Sequence, residues 1–259
     1  MLTLIGDIGN TITKICLVKV NNFKVKKIIY LDSKKIISIN YLKEKLNKNL
    51  KNKKINKIAL FSSVVPRYKI ILKNFIKKKY RINLIEIKDN KINKIVKINI
   101  RNKNQVGSDR IVNAVGVYLK YKADCIVLDF GTATTFDVVT KKGVYNGGII
   151  APGVNLSMKS LSNFADQIPI FSIKKQKKII GKNTLEALRS GFYWGYSGLI
   201  NNIILKIENE TKKKYRVIFT GGYARLFKTS IIRPFTVDKD ITIRGIIEIY
   251  KKNKDYLIK

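Results

Sequence analysis

The feature that most constrains this chain is a pattern that occurs twice. Asp7-Ile8-Gly9-Asn10-Thr11 and Asp129-Phe130-Gly131-Thr132-Ala133 each join two apolar, strand-like runs, and Asp129 follows Asp7 by 122 residues in a chain of 259. A strand, a glycine turn and a second strand, repeated at close to half-length, predict an α/β fold of two duplicated halves, 1–122 and 123–259, with a cleft between them. No linker or low-complexity stretch separates the halves, so close docking with a hinge is expected.

Around these turns the periodicity predicts strands at 2–5, 13–20 and 24–31, a basic amphipathic helix over 41–50, a buried strand at 57–62, a helix over 66–79 with Pro66 in its first turn, and a strand at 82–87. Residues 90–105 read as a connecting loop or ragged strand. Ser108 is expected to cap a helix running to about Tyr121. In the second half, strands are expected at 125–129, 135–140, 144–150, 216–220 and 235–237. Helices are expected at 154–163, 184–210 and 240–252, with a short one after Gly222.

Composition removes several chemistries. Histidine is absent, so there is no Ser-His triad and no imidazole base, and an enzyme built on this chain would use a carboxylate. Cys16 and Cys125 are the only cysteines and lie in apolar runs, which excludes a disulfide framework and a four-cysteine metal site and suits a reducing cytoplasm. With 45% hydrophobic residues the chain can bury a sizeable core. No apolar run approaches the roughly 18 residues of a membrane span, and the first residues enter a strand directly; a soluble, unprocessed, cytoplasmic protein with no membrane partner is expected. The formal charge of +36 is spread over runs such as 51–57, 77–79, 174–178 and 212–214 among abundant Asn and Ile. That dispersion predicts a solvated surface with only non-specific nucleic-acid binding.

Each repeated turn places an Asp at a strand end, followed by Gly and hydroxyl residues whose backbone N–H groups can face a phosphate. Asp7 would hold Mg2+ through water, since that ion keeps its hydration and takes one or two carboxylates plus phosphate oxygens. Gly9, Asn10 and Thr11 would wrap the phosphate chain and Lys14 would add a point charge, so the nucleotide-binding stretch is expected to run from Asp7 and Ile8 through Ile12 and Thr13 to Lys14. Phe219-Thr220-Gly221-Gly222-Tyr223-Ala224 reads as a strand entering a paired-glycine turn, where Gly221 and Gly222 would let an adenine ring lie on the backbone. No Walker-type G-x-x-x-x-G-K-[ST] string is present.

Two phosphate turns followed by an adenosine turn resemble the actin, hexokinase and Hsp70-like ATPase superfamily, which implies actin-like (ribonuclease H-like) subdomains with an interdomain nucleotide cleft. Within it, GDIGNTITK at 6–14, GSDR at 107–110, DFGTATT at 129–135, GGIIAPG at 147–153, Ile168-Pro169, GKNT at 181–184 and TGGYA at 220–224 resemble type III pantothenate kinase in content, order and spacing. The resemblance implies transfer of the ATP γ-phosphoryl group to pantothenate, the opening step of coenzyme A synthesis. It also implies a homodimer, a divalent metal and an activating K+ or NH4+ ion.

By that resemblance Asp109 is the base, a role its place at a helix start supports, within a substrate-binding string Gly107-Ser108-Asp109-Arg110. Arg110 would fork onto the substrate carboxylate, a planar acid that favours Arg over Lys. Asp129 matches the family's monovalent-cation ligand, Thr132 an ATP contact and Thr184 a pantothenate contact, although Asn183 and Thr184 could equally cap the following helix. Asp137 is expected to be structural. A Tyr and a Pro that the family often carries shortly before G-x-D-R are replaced near Ile100 and Lys103, so the substrate wall departs from the pattern. Two rivals remain: a transcriptional accessory protein of the same family, and a sugar or acetate kinase of the superfamily.

Overall fold

The computed structural model describes residues 1–258. The chain divides into two compact units, one formed by residues 1–120 together with the segment from Asp240 onward, the other by residues 121–239. The expected boundary at 122 lies close to the first of these limits. Sequence order places the segment from Asp240 onward in the second half, but it belongs to the first unit because its apolar face packs there.

The first unit opens with β1 (Leu2–Ile8), β2 (Ile12–Lys19) and β3 (Val25–Asp32), an antiparallel meander. Then come α1 (Ile39–Leu50), β4 (Ile58–Ser63), α2 (Pro66–Tyr80), β5 (Asn83–Glu86), a two-residue strand β6 (Lys97–Ile98) and α3 (Ser108–Tyr121). β4 and β5 join β1 in parallel, giving the order β3-β2-β1-β4-β5. The second unit repeats the plan. β7 (Cys125–Phe130), β8 (Ala133–Val139) and β9 (Val144–Pro152) form a meander. After α4 (Val154–Phe164) and α5 (Thr184–Thr211), β10 (Arg216–Gly221) and β11 (Phe235–Val237) add in parallel, so the order is β9-β8-β7-β10-β11. The chain closes with α6 (Ile241–Lys252) and α7 (Lys254–Leu257).

The repetition reaches individual hydrogen bonds. Gly9 N–H donates to Ile12 O at 3.3 Å, and Gly131 N–H to Ala133 O at 3.0 Å. Val64 N–H donates to Ile8 O at 3.1 Å, as Gly222 N–H does to Phe130 O at the same distance. Ile87 N–H to Phe61 O and Asp238 N–H to Phe219 O complete the correspondence.

The central strands β1, β4, β7 and β10 are nearly continuous apolar runs because they are buried in the interior of their sheets. In the first unit Leu4, Ile8, Ile15, Leu17, Phe61 and Leu84 pack with Leu42 and Leu46 of α1 and Leu72 and Ile76 of α2. α6 packs against β1 and β4. It also meets α3 closely: a Cβ on Gly116 would stand 2.5 Å from Ile241 O, and Thr242 Oγ1 donates to Asn113 Oδ1 at 2.7 Å. In the second unit Ile126, Leu128, Phe136 and Phe219 pack with Met158 of α4, Tyr193, Ile200 and Ile204 of α5, and Phe227. Each such side chain contributes about 1.5–3 kcal/mol of burial free energy.

Two local expectations are corrected. Ser108 is the first residue of α3 and does not cap it; Gly107 O takes the Ile111 N–H at 3.2 Å, and the Ser108 hydroxyl is engaged elsewhere. Residues 222–230 form consecutive turns in place of a helix, with three-residue bonds Tyr223 O to Leu226 N, Arg225 O to Lys228 N and Phe227 O to Ser230 N. Burial of Ala224 and Phe227 is met by that tighter winding. Among the described residues no helix is long and apolar enough to cross a membrane.

Candidate active site

In the first unit the chemistry-bearing residues gather at the carboxyl ends of the parallel strands, the usual ligand edge of such sheets. Asp7 is the penultimate residue of β1, opposite Lys14 in β2 and Ser62 in β4. The turn that follows exposes Asn10, Thr11 and Ile12, so these backbone groups and the two polar side chains can meet a ligand. Ile8 and Thr13, expected in the same stretch, have fully buried side chains, and Thr13 Oγ1 is 2.9 Å from Ser33 Oγ. Strand alternation turns both inward, so neither offers its side chain to a nucleotide. Ser62 Oγ is buried beside Asp7 without a hydrogen-bond partner among the described residues.

Val64 connects this turn to the GSDR string. Its N–H is held by Ile8 O, and its Cγ1 would lie 3.5 Å from a Cβ on Gly107. The space that a Gly107 side chain would fill is taken by the Asp109 carboxylate, which folds back over it. Asp109 Oδ1 accepts the Arg110 N–H at 2.8 Å. Burial raises the Asp109 carboxyl above the ordinary aspartate value, and the Arg110 backbone N–H and guanidinium oppose that rise only in part. A carboxylate with raised affinity for protons suits a group that must accept one.

Two residues that no motif marks, at the end of β5 and just beyond it, hold this string. Ser108 Oγ donates to Glu86 Oε1, and Lys88 Nζ donates to Asn104 O at 2.9 Å and Val106 O at 3.1 Å. No sequence signal marks them, because the pairing depends on β5 ending beside the start of α3.

The second unit gathers its own set. Asp129 is the penultimate residue of β7, opposite Thr135 in β8 and Thr220 in β10. Thr132 lies exposed in the turn, and Gly153 packs so tightly on it that an added Cβ would overlap the Thr132 carbonyl. Gly221 has φ +83°, and Gly222 bonds to Phe130, so the paired glycines lie against the Asp129 turn. Thr184 is the first residue of α5. The cap is Asn183, whose Oδ1 accepts the Glu186 N–H at 2.9 Å, which leaves Thr184 in a groove of about 940 Å³ with Pro152, Ser157, Phe192 and Tyr196. Asp137 is buried and accepts from Tyr145 Oη at 2.9 Å and Thr135 Oγ1 at 3.3 Å, a structural arrangement.

The donor sets fit hard cations of the kind the nucleotide reading requires. Among the described residues no cluster of three or more His, Cys, Asp or Glu could cage a metal. Asp7 supplies one carboxylate, which is the number a hydrated Mg2+ shared with phosphate oxygens takes. Asp129 supplies a carboxylate at the equivalent turn of the second unit, an oxygen donor of the hard kind.

The family model for type III pantothenate kinase matches residues 3–206. A type III pantothenate kinase of Pelagibacter ubique is 50% identical over 244 residues, covering 94% of this chain and 96% of that protein. One of Hyphomonas neptunium is 39% identical over 196 residues, covering 76% and 77%. Among solved structures, a Campylobacter jejuni protein described as a Baf family transcriptional activator superimposes with TM-score 0.63 at 23% identity, covering 97% of this chain and 99% of that one. The activator of 2-hydroxyisocaproyl-CoA dehydratase from Clostridium difficile, with bound ADPNP, gives 0.56 at 12%, covering 99% and 97%. At those identities the structures speak for the fold, an actin-like α/β architecture with two sheets, while the sequence matches speak for the family. The chain belongs to the type III pantothenate kinase family.

Proposed function

We propose that this protein is a pantothenate kinase that transfers the γ-phosphoryl group of ATP to the hydroxyl of pantothenate, yielding ADP and 4'-phosphopantothenate. Family membership over most of the chain supports the reaction. The observation that carries the assignment of roles is the link through Val64 between the Asp7 turn and a partly buried Asp109.

Asp109 accepts the substrate hydroxyl proton as the new O–P bond forms and the bond to the β-phosphate oxygen breaks. An ordinary aspartate, with a reference pKa of about 3.9, is too weak to ionise an alcohol beforehand. In a loose phosphoryl-transfer transition state the proton leaves late, so orientation of the hydroxyl and a late acceptor suffice. Arg110 takes the pantothenate carboxylate, and Gly107, Ser108 and Thr184 complete the substrate contacts.

Asn10, Thr11, Lys14 and the backbone of the Asp7 turn receive the phosphate chain, and by the family resemblance Thr132 is an ATP contact. Gly221 and Gly222 present bare backbone to the adenine. Mg2+, held by Asp7 through water, would neutralise phosphate charge, and a K+ or NH4+ ion at Asp129 would supply a further fixed positive charge. The family resemblance supports a homodimer acting in the cytoplasm.

The rival reading as a transcriptional accessory protein rests on the dispersed charge and is not favoured by the relatives, which are named as kinases. ATP-dependent phosphorylation of pantothenate by the purified protein, run in K+ and again in Na+, tests the proposal. Turnover in K+ with a marked loss in Na+ is expected; absence of pantothenate-dependent ADP formation in either salt would overturn the function. Equal rates in both salts would remove Asp129 from its cation role.

A further inference from the structure

Glu86 and Lys88 stand two residues apart where β5 ends, and between them they grip both flanks of Gly107. On one side Lys88 Nζ donates to the carbonyls of Asn104 and Val106 at 2.9 and 3.1 Å. On the other, Glu86 accepts from the hydroxyl of Ser108. The strand that carries them is itself anchored, since Ile87 N–H is held by Phe61 O at 2.9 Å and a turn from Asp89 N–H to Glu86 O, also 2.9 Å, stops the chain from sliding. Both side chains are partly buried. A lysine with two carbonyl acceptors and a carboxylate with a hydroxyl donor form charge-assisted bonds, roughly twice as strong as neutral ones.

What they hold is the backbone directly beneath the Asp109 carboxylate. Its carboxylate lies over Gly107 in the volume a side chain would need, so a small rotation of the Gly107 peptide changes where the carboxylate points. Gly107 has no Cβ to limit that rotation. The bond from Ile111 N–H to Gly107 O holds that peptide from the helix side, and the contacts to residues 104, 106 and 108 restrain the backbone on both of its flanks.

We infer that Glu86 and Lys88 are positioning residues that clamp the backbone on either side of Gly107 and so fix the direction of the Asp109 carboxylate. The inference rests on the reading of Asp109 as the proton acceptor. Neither residue touches substrate; each acts through the GSDR string. Misplacement of a reacting group by about 1 Å can cost two orders of magnitude in rate, so loss of either clamp is expected to show in kcat.

The test compares Glu86→Ala and Lys88→Met with the conservative Glu86→Gln and Lys88→Arg in the full chain, each also combined with Asp109→Asn. Glu86→Ala and Lys88→Met are expected to lower kcat by about tenfold or more, with KM for ATP changed less than about twofold. Glu86→Gln retains an acceptor for Ser108 and Lys88→Arg retains a cationic donor, so both should recover most of the loss. In the Asp109→Asn background, Glu86→Ala and Lys88→Met should cause little further decline, because the group they orient is gone. A fall in melting temperature with native kcat would overturn the inference, as would full multiplication of the losses in the double variants. Native turnover of Asp109→Asn alone would instead overturn the proton-acceptor role, so the two failures are distinguishable.

Discussion

A Cβ placed on Gly221 would stand 2.7 Å from the Asp129 carboxylate oxygen Oδ1 and 2.6 Å from both N and O of Phe130. The paired-glycine turn and the acidic turn of the second unit are thus one object, and each limits the shape of the other. Gly221→Ala should therefore injure both. Its φ of +83° alone makes alanine strained by about 1–3 kcal/mol, and the overlap adds to that. A lower melting temperature is expected together with a raised KM for ATP. An alanine variant with native values of both would show that the turn is not used for nucleotide.

Asp109→Asn should lower kcat by about 10² to 10⁴, equivalent to roughly 3–5 kcal/mol of barrier, with KM for ATP little altered. The same substitution has a stability signature. Because burial raises the Asp109 carboxyl, the folded chain binds that proton more tightly than the unfolded chain does. The neutral form is therefore favoured in the fold, and the associated stability is lost as pH rises from the ordinary value of 3.8 through the folded one. Asparagine carries no such penalty, so the variant should melt above the native protein at neutral pH and lose that advantage once the pH falls below 3.8. Melting curves at the two pH values check the sign; a variant less stable at neutral pH would contradict it.

Arg110→Lys keeps the charge and removes the fork. The expected result is a KM for pantothenate raised about tenfold or more with a smaller change in kcat. The matched measurement uses the analogue lacking the carboxylate. If that analogue suffers the same rise, the guanidinium does not read the acid.

The thiols should be silent. Cys16 and Cys125 are both free and fully buried, and burial pushes each thiol up to about 12. Only a thiolate reacts quickly, so a chromogenic disulfide reagent should report no fast reaction with the native protein and two thiols after denaturation. Fast labelling of the native chain would contradict the burial.

Most of the strands were legible because their apolar runs sit between glycine and polar turns, and α2 and α5 begin where Pro66 and Asn183 announce a helix. The turns at 222–230 were not, since Ala224 and Phe227, three residues apart, bury in a tight winding as they would in a helix. The burial of the Thr13 side chain is legible in its alternation with Ile15 and Leu17. Asp7, Asp109 and Asp129 announced themselves through their glycine neighbours, a local signal. Glu86 and Lys88 did not, because a residue that works by bracing a distant segment leaves no mark at short range. The membership of α6 in the first unit is illegible for the same reason.

That last placement has a consequence for synthesis. Residues 1–120 leave the ribosome before residues 121–239, yet they stay without α6, and without the bond from the Asn56 side chain to Tyr250 Oη at 2.9 Å, until the later stretch has been made. A chain released after residue 239 would thus carry a complete younger lobe and an older one still exposing oily flanks of β1 and β4, where a chaperone would be expected to bind.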